Sequence, residues 1–88
     1  MNLDFEKSFI KDLGHIRDNA VKASVREAIA RIEQAHSLRD IANLSKLKGG
    51  DDCYRIRVGA YRVGTVLDGN TLIFVRILLR RDIYRFFP

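Results

Sequence analysis

The segment that decides the fold is Cys53-Tyr54-Arg55-Ile56-Arg57-Val58-Gly59-Ala60-Tyr61-Arg62-Val63. Apolar side chains alternate with arginines in its first half, which is the period-two pattern of a half-buried strand. Gly59-Ala60 fits a two-residue type II′ loop, because that loop favours glycine at its first central position. The segment therefore predicts a β-hairpin of fixed register, with the cross-strand pairs Val58–Tyr61, Arg57–Arg62 and Ile56–Val63.

This register groups the side chains of the hairpin by chemistry. Ile56 and Val63 share an apolar face, whereas Arg55, Arg57 and Arg62 share the other face. Like charges directly opposite each other destabilise a sheet. Either the three guanidinium groups form a solvated face, or they have an anionic partner, and their clustering favours the partner.

The composition suits one small domain over residues 1–88. Hydrophobic residues make up 47% of the 88 residues, which is enough for one modest core. We find no apolar run of membrane-spanning length and no secretory leader. The single cysteine, Cys53, excludes an internal disulfide, and it lies far from His15 and His36. We therefore expect a cytoplasmic protein without a metal or another cofactor.

The net charge of +5 is unevenly distributed. Residues 1–45 contain seven basic and seven acidic residues, whereas residues 46–88 contain nine basic and four acidic ones. This asymmetry is compatible with simple solubility, but it also fits a surface on the C-terminal half that binds nucleic acid.

Helical periodicity dominates the N-terminal half. An apolar stripe predicts a helix from residue 6 to about residue 16, and Asp18 is a suitable N-cap for a second helix over residues 19–36. We expect these helices to form an antiparallel hairpin. Short strands are predicted at residues 2–5 and 44–48, the second with Leu47 pointing inward, and a long strand at residues 71–79.

The loop between the last two long strands decides which side chains of the final strand face the core. An even-length loop would place Ile73, Val75, Ile77 and Leu79 on the arginine face. A three-residue loop at 68–70 with a glycine bulge would place them on the apolar face. We favour the three-residue loop, which also places Arg76 and Arg80 beside the arginines of the first hairpin. The predicted fold is α+β: a helical hairpin packed on a twisted antiparallel sheet of about four strands, with a basic surface on the opposite face.

Two blocks of this sequence resemble the RelE/ParE family of toxins, and the RelE-like branch in particular. The first is Tyr54-Arg55-Ile56-Arg57-Val58 followed by Tyr61-Arg62-Val63, and the second is Arg80-Arg81-Asp82-Ile83-Tyr84. The resemblance covers nearly the whole chain. It implies a microbial-RNase-like sheet that enters the ribosomal A site and cleaves mRNA by driving the ribose 2′-hydroxyl onto the adjacent phosphate. It also implies a cognate antitoxin that wraps the toxin and occludes its basic face.

Carried onto this chain, the resemblance implies a catalytic set made of Arg55, Arg57, Arg62, Arg80 and Tyr84. Arginines would neutralise the phosphorane, and Tyr84 would stack on a base or orient the 2′-hydroxyl, unless it is only a packing residue. The expected RNA-binding residues are Lys46, Lys48, Arg76 and Arg81. Arg76 has an equally good alternative, in which it neutralises a helix carboxylate or contacts the antitoxin.

The chain departs from its relatives at two places. Some relatives have lysines at the positions of Arg55 and Arg57, and many have a histidine at the position of Leu79. Arginine stays protonated, so no titratable base is expected near the cluster. Besides the endonuclease, two functions therefore stay open: a ParE-like gyrase inhibitor without enzymatic activity, and a degenerate toxin that binds RNA or antitoxin without cleaving.

Overall fold

A mixed five-stranded sheet forms the centre of the computed structural model, which describes residues 1–49 and 51–88. Its strands are β1 (Asn2–Phe5), β2 (Leu44–Lys46), β3 (Cys53–Val58), β4 (Tyr61–Asp68) and β5 (Thr71–Leu79). They lie in the order β1-β5-β4-β3-β2, and β1 pairs parallel to β5. The α+β class is correct. The sheet of about four antiparallel strands is wrong in detail, because β1 joins the edge of β5 as a fifth strand.

Two helices cover one face of the sheet. They are α1 (Lys7–Gly14) and α2 (Asn19–Gln34), and Asp18 caps α2 by accepting a hydrogen bond from the amide of Ala20 at 2.9 Å. The helix α1 packs mainly against β5, whereas α2 packs against β3. The predicted helical hairpin is therefore wrong in detail, since each helix takes its main contacts from a different strand.

The core lies between these helices and the sheet. Phe9 of α1 and Phe74 of β5 are each 1% exposed, and their rings meet edge to face with centroids 5.4 Å apart. The other buried members come from both layers, and they include Ile16, Val25, Ile32, Ile56, Val58, Val63, Leu72 and Ile77. A 3₁₀ turn at Leu38–Asp40 follows α2.

The first hairpin has the predicted register. Val58 pairs with Tyr61, and the two pairs that follow are Arg57–Arg62 and Ile56–Val63. Gly59 has a φ of 59°, a conformation that glycine adopts without steric cost, as the two-residue loop requires.

The second hairpin differs from the prediction. Asp68 pairs with Thr71, so the loop has two residues instead of three, and a β-bulge then leaves Val75 without a partner on β4. Because the bulge reverses the alternation, Leu72, Phe74 and Ile77 all face the helices. The placement of Ile77 on the core face is confirmed, whereas that of Ile73 is wrong. Val75 is the bulged residue, and Leu79 pairs with Tyr61 outside the buried core cluster. Ile73 instead pairs with Val66 on the other face.

In strand β2, the side chains that face the core also differ from the prediction. Leu44 pairs with Ile56 and packs against the core, while Ser45 pairs with Arg55. Leu44, not Leu47 as predicted, is therefore the inward side chain of this strand.

A third helix, α3 (Arg80–Phe86), lies on the arginine side of the sheet. Ile83 is 1% exposed and Phe87 is 5% exposed, so both anchor α3 to β4 and β5. The turn cluster predicted at residues 49–52 includes Gly50, which lies outside the described residues. Within the described part of the chain, no helix has the length and apolar character needed to cross a bilayer.

Candidate functional site

An open cleft of about 360 Å³ lies between the arginine face of the sheet and α3. The sheet contributes Arg55 and Arg57 from β3 and Arg62 from β4, and α3 contributes Arg80 and Tyr84. The structure thus brings together all five side chains expected in the catalytic set. The remaining described lining residues are Asn43, Leu44 and Ser45, so the described lining contains no carboxylate and no imidazole.

Arg55 lies under the ring of Tyr84. Its guanidinium carbon is 4.8 Å from the ring centroid, which is the geometry of a cation–π contact. Its Nη1 is buried and makes no hydrogen bond to the described part of the protein. A buried donor without an acceptor costs free energy, so a small movement that brought this guanidinium to an anionic acceptor would be favourable.

Tyr84 presents its other surface to solvent. Its side chain is 60% exposed, so it is not a packing residue of the core. The free side of such a ring can stack on an unpaired base.

Arg62 is held beside the turn of the first hairpin. Its Nη1 donates to the backbone oxygens of Gly59 at 2.8 Å and Tyr61 at 2.9 Å. Desolvation lowers the pKa of Arg62, and the positive charges of Arg80, Arg57 and Arg55 lower it further. The guanidinium stays protonated, because the pKa of arginine lies far above neutrality. The lowered pKa of Arg62 therefore reflects desolvation first and then the mutual repulsion of cations, and a bound anion would relieve the repulsion.

Asn43 is a residue of this cleft that the sequence did not reveal. Its φ of 64° is left-handed, a conformation that asparagine tolerates better than most residues. Its side-chain oxygen accepts a hydrogen bond from Arg57 Nη2 at 3.2 Å, and its backbone oxygen accepts one from the Arg57 amide at 3.0 Å. Asn43 thus orients Arg57. An asparagine just before a strand was the available signal, but nothing local linked it to an arginine fourteen residues later.

The predicted RNA-binding residues lie outside this lining. Arg76 makes two hydrogen bonds to the carboxylate of Asp12, at 2.7 and 3.0 Å, as in the helix-carboxylate alternative. Lys46 pairs with Tyr54 and therefore lies on the face opposite Arg55. Lys48 and Arg81 are exposed. Arg81 lines a neighbouring recess with Ala60, Leu79, Arg80 and Tyr84.

Neither histidine belongs to the cleft. His15 follows α1 and His36 follows α2, and both are exposed in the helical layer. Leu79, the position at which the family resemblance implied a histidine, is an apolar residue at the end of β5. The arrangement can therefore bind and neutralise a phosphodiester, but it brings no side chain of neutral pKa to the described lining.

Comparison with known proteins supports one family. Residues 3–84 match the family model described as the ParE toxin of the type II toxin–antitoxin system parDE. The chain is 39% identical over 89 residues to Toxin RelE3 of Methanocaldococcus jannaschii, with 100% of both chains covered.

Solved structures show the same fold. The toxin in the RelB–RelE antitoxin–toxin complex from Methanococcus jannaschii superposes with a TM-score of 0.81 at 38% identity, covering 97% of this chain and 99% of that one. The RelE–RelB complex from Pyrococcus horikoshii OT3 gives 0.72 at 23% identity, covering 90% and 93%. From these matches, this chain belongs to the RelE/ParE family of type II toxin–antitoxin toxins, on its RelE-like side.

Proposed function

We propose that this toxin is a ribosome-dependent mRNA endonuclease that acts in the A site and so inhibits translation in the cytoplasm. The observation that supports this most directly is the convergence of four arginines and one exposed tyrosine in a cleft whose described lining has no carboxylate. Such a cleft suits the polyanionic backbone of RNA. A surface used only for docking a protein would not need to concentrate like charges at this cost.

The proposed reaction is an internal transesterification. The 2′-oxygen attacks the adjacent phosphorus, the bond to the 5′-oxygen breaks, and the products are a 2′,3′-cyclic phosphate and a 5′-hydroxyl. Arg62 and Arg80 would stabilise the extra negative charge of the phosphorane, because preorganised donors act most strongly where charge develops. Arg55, which lines the cleft, would contact a non-bridging oxygen through its guanidinium.

Proton transfer must come from outside the arginine set. The 2′-hydroxyl loses a proton to water or to a ribosomal group, and the leaving oxygen gains one from the same surroundings. This requirement explains why the cleft would act on mRNA held in a ribosome, where alignment supplies much of the rate. Tyr84 would fix the neighbouring base by stacking on its free face.

A cognate antitoxin is the proposed protein partner. Two of the structurally similar toxins are known in RelB–RelE complexes. In this toxin, the described lining of the cleft carries only positive formal charge. An antitoxin segment that carries carboxylates would neutralise this charge and occlude the site.

Primer extension on mRNA in purified translating ribosomes tests the proposal. We expect cuts that map to the A-site codon with ribosomes and no cuts in free mRNA. The Arg62→Ala/Arg80→Ala double variant is the matched negative control, and an equimolar antitoxin should abolish the cuts.

Residues 3–84 match a model of ParE toxins, so the gyrase inhibitor that the resemblance implied is the second candidate. A supercoiling assay run in parallel separates the two functions. Inhibited supercoiling without mRNA cuts would favour the gyrase inhibitor. Ribosome or RNA binding without cleavage would favour a degenerate toxin that only binds.

A further inference from the structure

Three aromatic rings of the C-terminal segment cover three consecutive positions across the sheet. Arg55, Gly64 and Arg76 are direct cross-strand neighbours on β3, β4 and β5. Tyr84 lies over Arg55 at 4.8 Å, and Phe86 lies over Arg76 at 5.7 Å. The ring of Phe87 lies on Gly64 between them.

The contact at Gly64 leaves no room for a side chain. A Cβ at this position would stand 2.5 Å from both Cγ and Cδ2 of Phe87, well inside van der Waals contact. Both are ring atoms of a residue that is 5% exposed, so they cannot swing away freely. Phe87 therefore lies directly on the backbone of β4.

The bulge in β5 creates this row. Without it, Val75 would stand opposite Gly64, and Arg76 would point to the core face. With it, Arg76 lies opposite Gly64, where Asp12 fixes its guanidinium by two hydrogen bonds. The surface that α3 packs on, which we call its seat, is the row Arg55, Gly64 and Arg76. It is therefore built from paired strands and from a side chain that α1 holds in place.

The other end of α3 is tied to the first hairpin. The amide of Arg80 donates to the backbone oxygen of Ala60 at 3.0 Å. At the C-terminal end of α3, Ile83 and the C-cap residue Phe87 are both buried, and the Phe87 amide donates to the Ile83 oxygen at 2.9 Å. Tyr84 therefore lies between the Arg80–Ala60 hydrogen bond at one end of α3 and the buried Phe87 at the other.

We propose that Phe87, seated on the backbone of Gly64, is a positioning residue that holds Tyr84 over Arg55 in the cleft. The seat stands on geometry alone, whereas its importance for cleavage rests on the proposed function. Neither Phe87 nor Gly64 contacts RNA. A misplacement of about 1 Å is enough to lower a reaction rate about 10²-fold when alignment carries catalysis.

The test compares two variants that each add one methyl group. Gly64→Ala places the methyl against Phe87, whereas Gly14→Ala places it where nothing lies within 4 Å. The first readout is the NMR resonance of the Arg55 Nε–H proton, which the Tyr84 ring current shifts. We expect Gly64→Ala to move this resonance most of the way to its position in Tyr84→Leu, with the amide signals of the core unchanged. Gly14→Ala should keep the wild-type resonance.

The second readout is single-turnover cleavage on ribosomes. We expect Gly64→Ala to lower the rate at saturating ribosome concentration about 10²-fold, with little change in the half-saturating concentration, because the arginines are retained. Phe87→Leu should lower the rate in the same way. It replaces Gly64→Ala in this test if Gly64→Ala does not fold. In the Phe87→Ala background, Gly64→Ala should cause no further loss, since the obstructing ring is gone.

The two levels of the proposal fail in different ways. A wild-type Arg55 resonance in both Gly64→Ala and Phe87→Leu would overturn the seat. A displaced resonance with an unchanged cleavage rate would overturn its role in catalysis. If the wild-type toxin does not cut mRNA on ribosomes, the proposed function fails, and the resonance alone still decides the seat.

Discussion

Arg62 shows at the scale of one residue how the cleft concentrates charge. It pairs directly with Arg57 across the hairpin, and its backbone contacts hold the guanidinium close to Arg55 and Arg80. The lowered pKa of Arg62 means that folding disfavours its charged form. Since arginine does not lose its proton below about pH 12, this cost is present throughout the physiological range. Desolvation is the larger cause of this cost, and a bound anion or the removal of a neighbouring cation relieves the part that comes from repulsion.

Removing a cleft arginine should lower cleavage without unfolding the toxin. We expect Arg62→Ala and Arg80→Ala each to reduce the single-turnover rate by about 10²-fold or more, the loss typical for one preorganised charge donor. Arg26→Ala is the matched control, because Arg26 is an exposed arginine of α2. Full activity of the Arg62→Ala/Arg80→Ala double variant would refute the assignment of this face as the active site.

The rate of cleavage should show no histidine-like dependence on pH. A histidine base would make the rate rise through about pH 6.5 and then level off, because only the neutral ring accepts a proton. The cleft arginines keep their charge over this range, so single-turnover rates between about pH 5.5 and 8 should lack that step. A step that disappears in His15→Gln or His36→Gln would show that a helical histidine reaches the reaction.

The same repulsion predicts a variant that gains stability while it loses activity. Arg57→Gln removes one of two directly opposed cations and keeps an N–H donor for Asn43. We expect the free energy of unfolding in urea to rise by about 0.2–1 kcal/mol, the range of cross-strand pair energies. Arg39→Gln, at an exposed site of the 3₁₀ turn, should change it little. A loss of stability in Arg57→Gln would mean that Asn43 and local contacts outweigh the repulsion.

At the scale of elements, the bulge in β5 decides which apolar residues form the core. Before it, Leu72 and Phe74 face the helices, and after it Ile77 does. The two-residue loop turns Ile73 toward the α3 side, and the bulge places Arg76 opposite Gly64. The bulge at Val75 therefore turns Ile77 toward the core and Arg76 toward α3.

Alanine substitutions along β5 test which of its side chains face the core. Ile77 is 1% exposed, so Ile77→Ala should lower the free energy of unfolding by about 2–5 kcal/mol. Ile73→Ala should cost clearly less, because Ile73 is only half-buried. Ile10→Ala, at a side chain 55% exposed on α1, is the control and should stay within about 0.5 kcal/mol of wild type. Equal losses at Ile73 and Ile77 would contradict the bulge.

At the scale of the whole molecule, charge and packing are divided between the two faces of the sheet. The helices α1 and α2 bury one face, while the other face holds the arginine cleft beside α3. All of the net charge of +5 comes from residues 46–88, which contain the three long strands and α3.

This division predicts a strong salt dependence of RNA and ribosome binding. Affinity should fall steeply between low and physiological salt, because each arginine that contacts a phosphate releases a counterion. On single-stranded RNA, Arg55→Gln should reduce the slope of log affinity against log salt by about 0.7 per lost phosphate contact. Arg26→Gln should leave the slope unchanged. An affinity insensitive to salt in the wild type would contradict a polyanion-binding face.

The sequence by itself determined the first hairpin and the arginines that share its face. Period-two alternation and a Gly59-Ala60 loop are properties of neighbouring residues, so the pairs Arg57–Arg62 and Ile56–Val63 follow without knowledge of the rest of the chain. The same holds for the cap at Asp18 and the apolar stripe of α1. The five expected cleft residues combined this local reasoning with family resemblance, and the structure brings them together.

Only the tertiary structure decided the bulge at Val75, the parallel pairing of β1 and the seat of Phe87 on Gly64. Each depends on contacts between residues far apart in sequence, such as Asp12 with Arg76 or Phe87 with Gly64. A loop of two or three residues is locally acceptable at Gly69, and the burial of Leu72 and Phe74 selects between them. Packing of the whole core therefore fixed what no local pattern specified, because one unpaired residue costs less than turning two large apolar side chains toward water.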